Sequence, residues 1–350
     1  MPAPPVVRAA AVSAIGDGKS TYSYAEGIQP LRQAMADKLL RHNGIRADPK
    51  SEIVVTVGAT GAFVSTINAL LNKGDGILVL EPYYPYHVLA ATVAGFEPQY
   101  LTLQGPDFAL RYEELAAAIQ PNTRAIVVCT PCNPSGKMFD SSDLDALAKV
   151  ASEYDLLVIT DEVYEFIRFE GAEHISPASR EDLRDRTVTI MGLSKTFSIT
   201  GWRLGYAVAP EHMARAITQV HDLFYICAAT PLQHGVVEGF RLDAEFYASM
   251  QRDYQRKRDI ICEALVTANF EPLVPKGAYY VLADLGRLGY PTARDAAMAL
   301  LEECGVASVP GVEFFRGDEG QRYVRFCFAA AETLIQDAAK RIRKFGNGHG

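Results

Sequence analysis

Apolar residues in this chain fall into short, nearly continuous runs, separated by longer stretches in which they recur every three or four positions. Ile53–Val57 is one such run, and residues 76–80, 125–129, 156–160, 187–191 and 204–209 repeat it, each rich in Val, Ile and Leu. Runs without polar alternation suit strands buried on both faces. The periodic stretches between them, such as residues 60–71 and 144–154, suit the crossover helices of a mostly parallel sheet. Asp140, Ser141 and Ser142 stand where the second of these helices needs a cap. The pattern predicts an α/β fold, a mostly parallel central sheet covered by helices, and such sheets place their ligands at the carboxyl ends of the strands.

After about residue 240 the texture changes. A long helical pattern over residues 244–269 leads into strand candidates at 279–283, 306–309 and 323–328, with helices at 293–303 and 331–345. This predicts a smaller α+β domain. No repeat and no low-complexity linker separates the halves, so the boundary is expected inside the long helix.

Composition narrows the function classes. The 350 residues suggest about two domains, and 49% apolar with 22% charged residues is ample material for a core. The net charge of −8, without a basic block, argues against nucleic acid and anionic membranes as partners. The uncharged stretch 53–72 has the length of a membrane span, but Gly58, Gly61, Ser65, Asn68 and Asn72 break it, and it reads as strand, turn and helix. No apolar signal-peptide core opens the chain, and six scattered cysteines suit reduced thiols, so a cytoplasmic protein is expected. Cys129 and Cys132 have redox or zinc spacing, yet no second pair or histidine cluster accompanies them. None of the seven histidines shows ligand spacing, and none is assigned a catalytic role.

The candidate chemistry lies at the strand ends. Gly58-Ala59-Thr60-Gly61 follows a strand and opens a helix, where free N–H groups and the helix dipole favour an anion; a plain turn has the same composition. No G-x-G-x-x-G follows a strand and no Walker loop occurs, which removes the main support for dinucleotide and Walker-type nucleotide binding. The segment from Gly192 to Gly205 carries Lys195, Arg203 eight residues later, and glycines around both. It resembles the lysine signature of the class I/II aminotransferases, the fold-type I enzymes dependent on pyridoxal phosphate. Further matches follow in that family's order along nearly the whole chain: Tyr22 with Gly27, Gly58-Ala59-Thr60, Glu81-Pro82-Tyr83-Tyr84-Pro85, Asn133-Pro134-Ser135-Gly136, Asp161-Glu162-Val163-Tyr164, Gly277-Ala278-Tyr279-Tyr280, Pro310-Gly311 and Arg325.

The resemblance implies a role for each. Lys195 would form the Schiff base with the cofactor and then move a proton between the substrate α-carbon and the cofactor. Asp161 would pair with the pyridine nitrogen and keep it protonated. Asn133 and Tyr164 would hydrogen-bond the ring's phenolic oxygen, Asn133 standing beside the substrate as well, and Tyr84 would stack on the ring. Ala59, Thr60 and Arg203 would hold the phosphate, with Tyr22 reaching the phosphate of a neighbouring subunit, which implies a homodimer. Arg325, a charge in an otherwise apolar strand, would take the substrate α-carboxylate in its planar fork; a structural salt bridge is the other way to satisfy it. The domains implied are residues 1–20 as a remnant of the N-terminal part of the small domain, 21–245 as the large cofactor domain and 246–350 as the C-terminal small domain.

Two features depart from the family pattern. Position 192 is Gly, where many relatives carry a hydroxyl residue for the phosphate. A segment of a few dozen residues precedes the counterpart of Pro4-Pro5-Val6-Val7 in relatives, so the sequence is expected to be a truncation, or translation to begin upstream. The activity expected is transfer of an amino group between an α-amino acid and a 2-oxo acid. The alternative is a β- or γ-eliminating lyase of the carbon–sulfur type, which shares these residues. A transcription regulator's ligand-sensing domain is the non-enzymatic possibility, and the lack of a basic patch speaks against it. Tyr83, Tyr84, Tyr86, Phe224 and Tyr225 are compatible with an apolar or aromatic substrate, and aspartate and alanine stay open.

Overall fold

A computed structural model describes residues 2–286 and 288–345. Its first sheet contains β1 (Ile53–Val57), β2 (Gly76–Glu81), β3 (Glu97–Thr102), β4 (Thr123–Cys129), β5 (Leu157–Asp161), β6 (Thr187–Gly192) and β7 (Leu204–Val208), in the order β1-β7-β6-β5-β4-β2-β3. From β6 across to β3 all pairs are parallel, while β7 runs antiparallel to both β6 and β1. Each predicted apolar run forms one of these strands, and β2, β5 and β6 are buried along their whole length. The edge strand β3 is not visible as an apolar run, because Glu97, Pro98 and Gln99 dilute it and most of its residues are half-exposed.

The helices are α1 (Pro5–Gly16), α2 (Gln29–Lys38), α3 (Gly58–Leu70), α4 (Pro85–Ala94), α5 (Tyr112–Ala117), α6 (Ser141–Glu153), α7 (Glu181–Arg184), α8 (Leu193–Thr196), α9 (Glu211–Tyr225), α10 (Thr230–Gly239), α11 (Ala244–Thr267), α12 (Ala293–Cys304) and α13 (Glu332–Phe345). Of the three cap candidates before α6, Asp140 is the cap. Its Oδ1 accepts the N–H groups of Ser142 and Asp143 at 2.9 and 3.0 Å, and the Asp143 carboxylate accepts the Asp140 N–H at 3.0 Å. Such reciprocal capping is worth about 1 kcal/mol.

A second, antiparallel sheet orders β8 (Glu271–Leu273), β9 (Tyr280–Asp284), β10 (Val309–Pro310) and β11 (Tyr323–Cys327) as β10-β11-β9-β8. The core beneath it joins Val281, Val324, Ile261 of α11 and Ile335 of α13 to Tyr164 and Phe166, which follow β5. The two sheets are thereby packed through the segment that carries Asp161. The segment expected as a small-domain remnant supplies α1, whose Val7 shares a core cluster with Val236 and Phe240 at α10 and with Leu31, Val55 and Phe197. The expected break inside residues 53–72 is the junction of β1 and α3, and no described helix is long and apolar enough to cross a membrane.

Candidate active site

The reversed direction of β7 builds the site. Because β7 opposes its neighbours, its first residues meet the last residues of β1 and β6: Leu204 pairs with Val57, and Gly205 with Gly192. Arg203, just before β7, therefore stands beside the start of α3 and beside Lys195 in α8, at the edge where β5 ends in Asp161. Gly58 opens α3 with φ +70°, and a Cβ there would lie 2.6 Å from Arg203 Nη2. Glycine alone lets the guanidinium lie against the first turn of α3, so a fixed cation and free helix N–H groups face one point. Arg203 itself sits at φ +53° and is tied down by Nη1 donating to the Thr200 carbonyl at 3.0 Å.

A cavity opens there, and Ala59, Thr60, Tyr84, Asn133, Asp161, Tyr164, Lys195 and Arg203 all line it. Arg325 lines an adjoining cavity that shares Tyr84, Tyr86, Asn133 and Tyr280 with the first. Tyr22 is not brought to either; it is 78% exposed in this single chain.

Asp161 is buried, and its Oδ2 lies 3.0 Å from Nε2 of buried His87 while Oδ1 accepts the Val163 N–H at 3.3 Å. His87 was given no role from sequence. The signal available was its place three residues after Tyr84, on the first turn of α4, which turns it to the face Tyr84 occupies; the two rings meet edge to face at 5.2 Å. Behind Asp161 a buried polar network fixes the turn. Glu162 accepts from Thr160 Oγ1 at 2.7 Å, lies 2.7 Å from His174 Nε2 and also takes the Ser176 hydroxyl. Glu165 pairs with Lys38 of α2 and accepts from Asn43 Nδ2 at 2.9 Å. Charges this deep persist only when paired and hydrogen-bonded.

Lys195 Nζ makes no hydrogen bond or ion pair among the described residues and lies 5.9 and 5.5 Å from the ring centres of Tyr164 and Tyr279. Burial lowers its pKa from the ordinary 10.5, with Arg203 adding to the drop and Cys327 and Asp161 opposing it. Burial pushes the Tyr164 phenol well up, helped by Tyr279 and Tyr280, so it keeps its proton; it lies 3.3 Å from the Tyr280 hydroxyl. The Asn133 Oδ1 accepts from Arg325 Nη1 at 2.9 Å. Arg325 therefore has a neutral partner rather than a structural carboxylate. Its Nε is buried without a partner, and the guanidinium lies 4.4 and 4.8 Å from the ring centres of Tyr280 and Phe314.

The glycine at 192 has a packing reason. A Cβ there would lie 2.8 Å from Val163 Cγ1, so the valine occupies the room a hydroxyl residue would need. All six cysteines are free, and among the described residues no group of three or more His, Cys, Asp or Glu could hold a metal ion.

The donor set fits a flat, anionic cofactor. It offers a lysine with no tie, an acid at the far wall, an aromatic plane, and a cradle of Gly58 and Arg203 that a Cβ would fill. Fold and site together define an enzyme built on the aminotransferase scaffold. The chain belongs to the family described as aminotransferase class I and II, whose model matches residues 2–342, and it is an aminotransferase of that pyridoxal-phosphate-dependent class. It is 33% identical over 344 residues to aromatic-amino-acid aminotransferase 2 of Thermococcus litoralis, covering 97% of this chain and 88% of that protein. The same identity and coverage relate it to an aspartate aminotransferase of Pyrococcus abyssi. Among solved structures, N-succinyldiaminopimelate aminotransferase from Mycobacterium tuberculosis superposes with a TM-score of 0.95 at 31% identity, covering 99% of this chain and 91% of that one.

Proposed function

We propose that this chain binds pyridoxal phosphate in the cavity between β5, α3 and α8 and exchanges amino groups there between α-amino acids and 2-oxo acids. The observation that carries this reading is the untied Lys195 facing the same cavity as Asp161 and the Gly58–Arg203 cradle. When bound, the cofactor supplies an electron-accepting ring that stabilises negative charge developing at the substrate α-carbon. Ala59 and Thr60 at the start of α3, with Arg203, would hold its phosphate. Asp161, held by His87, would pair with the ring nitrogen, and Tyr84 would cover the ring. Tyr164, which keeps its proton, would donate to the phenolic oxygen, beside Asn133. Lys195 would hold the cofactor's aldehyde carbon, and as a neutral amine, which burial favours, it would carry the proton of the substrate α-carbon. Arg325 holds the substrate carboxylate, its fork set by Asn133 and by the flanking rings.

Tyr22, exposed and away from its own cavity, supports a homodimer in which it reaches the partner's phosphate. Six free thiols support a cytoplasmic setting. Residues 21–245 and 246–350 act as the large and small domains, with the boundary at α11.

The test is a half-reaction. Purified protein loaded with pyridoxal phosphate is mixed with one amino acid at a time, and the visible spectrum and the 2-oxo acid released are followed. Spectral conversion with stoichiometric 2-oxo acid is expected, and catalytic release of ammonia without any acceptor would point to elimination instead.

A further inference from the structure

Glu81 takes no part in the proposed chemistry, yet it is a buried carboxyl beside the site. It ends β2 opposite Thr102 of β3 and is 3% exposed. Its Oε2 accepts from Thr102 Oγ1 at 2.5 Å, and its Oε1 accepts the backbone N–H of Arg316, 235 positions away. Among the described residues it makes no ion pair. A carboxyl buried against neutral donors alone is costly to keep, so its benefit must lie in the segment it holds. That segment links the two sheets. Val309 of β10 pairs with Arg325 of β11, and the chain then turns through Gly311–Glu313 into Phe314, Phe315 and Arg316. The Phe314 carbonyl accepts the Tyr83 N–H at 2.9 Å, so two hydrogen bonds tie residues 314–316 to the end of β2. The Arg316 guanidinium lies 5.2 Å from the ring centre of Tyr100 on β3. Between these ties the buried Phe314 ring forms a floor 4.8 Å from the Arg325 guanidinium, in the cavity that Arg325 lines. Among the described residues Asn133 is that guanidinium's one hydrogen-bond partner, so its plane depends on the rings around it.

We propose that Glu81 is a positioning residue for substrate binding: by holding the Arg316 N–H it sets Phe314 beneath Arg325, and thereby the plane of the fork that meets the substrate carboxylate. The proposal rests on the reading of Arg325 as the carboxylate anchor. Glu81 lines neither cavity, so its influence passes through residues 314–316. Without the acceptor the Arg316 N–H is left unpaired, and the segment must shift toward another acceptor or water. A displaced ring leaves the guanidinium a wider range of tilts, and a bidentate contact with a carboxylate depends on tilt.

Amide hydrogen exchange of the unloaded protein and steady-state kinetics of the loaded enzyme test this in Glu81→Leu and Glu81→Gln, each alone and combined with Arg325→Ala, with thermal melts to check folding. Leucine removes the acceptor, whereas glutamine keeps one for Arg316 and offers its NH2 to the Thr102 hydroxyl, which then accepts. Glu81→Leu should speed exchange in the peptide containing Arg316 at least about tenfold. It should raise KM about two- to tenfold for every amino acid that reacts, the factor of one net hydrogen bond, with kcat within about twofold, because an anchor contact weakened alike in ground and transition states appears in KM. Glu81→Gln should restore both readouts. In the Arg325→Ala background Glu81→Leu should change KM by less than about twofold, since no fork is left to set. Phe314→Leu, which thins the floor and leaves Glu81 in place, should give the same rise in KM, again lost beside Arg325→Ala. KM unchanged in both Glu81→Leu and Phe314→Leu, no restoration by glutamine, or a loss that persists in full beside Arg325→Ala would overturn the positioning role. KM unchanged in Arg325→Ala itself would instead overturn the anchor reading, and the role of Glu81 falls with it. If no amino acid reacts while the cofactor is bound, the aminotransferase reading fails first.

Discussion

Gly58→Ala is the sharpest perturbation of the phosphate cradle, because it adds one methyl group and removes nothing. At φ +70° an alanine carries a left-handed strain of about 1–2 kcal/mol, which lowers folding stability directly. Its Cβ would also lie 2.6 Å from Arg203 Nη2, about 1 Å inside an ordinary contact, so the guanidinium must swing away from the first turn of α3. A hydrogen bond to a charged group contributes about 1.5–3 kcal/mol, so losing the Arg203 contact with the phosphate should weaken cofactor binding about 10- to 150-fold. Equilibrium titration of the apoprotein with pyridoxal phosphate, followed by its visible absorbance, gives the dissociation constant, and a thermal melt of the apoprotein separates the strain. Arg203→Ala should weaken binding by a similar factor, and the double variant should be little worse than either single one, since both remove the same contact. Affinity within twofold of the parent in Gly58→Ala would refute the cradle.

Three further outcomes follow from named contacts. Gly192→Ser should destabilise the protein or weaken cofactor binding, because its Cβ meets Val163, and adding Val163→Ala should restore the loss; melts and cofactor titration of both variants check this. His221 accepts the Val57 N–H at 3.1 Å, and burial holds its pKa down at about 4 against an ordinary 6.5. Its folded form resists protonation more than its unfolded form, so stability is full above pH 6.5 and falls by up to about 3 kcal/mol as the pH drops to 4. Denaturant unfolding across that range should show the decline, and His221→Gln, which keeps an acceptor without titrating, should remove that part of it. Arg325→Ala should lower kcat/KM about 10- to 150-fold for every amino acid alike, chiefly through KM, and steady-state kinetics on several substrates would expose a side-chain-selective effect that contradicts the role.

The strands of the large sheet were legible because burial on both faces requires unbroken apolar runs, and β1, β2 and β4 to β7 all have them. The direction of β7 was not legible, since Leu204–Val208 reads identically either way; yet that reversal is what brings Arg203 to Gly58 and Lys195. Edge strands β3 and β8 carry Pro98 and Pro272 and are only partly buried, so their pattern is diluted. Lys195 and Asp161 stood out through the family resemblance, the Gly58 turn through glycines at a strand-to-helix junction, and the helix cap Asp140 through local chemistry. The partnership of His87 with Asp161, 74 positions apart, depends on how α4 packs on α3, β2 and β3, and the spacing of His87 from Tyr84 gave only its face of the helix. Val163 against Gly192 is likewise a tertiary contact. The placement of residues 1–20 came from resemblance alone, and the packing of α1 on α10 is settled by apolar contacts that a short alanine-rich segment does not announce.

The most direct measurement is chemical trapping. Protein loaded with pyridoxal phosphate is reduced with borohydride, digested and mapped by mass spectrometry. One cofactor adduct per chain, on Lys195 and absent from Lys195→Ala, is the expected result; an adduct on another lysine, or none in a preparation that binds the cofactor, would contradict the central claim.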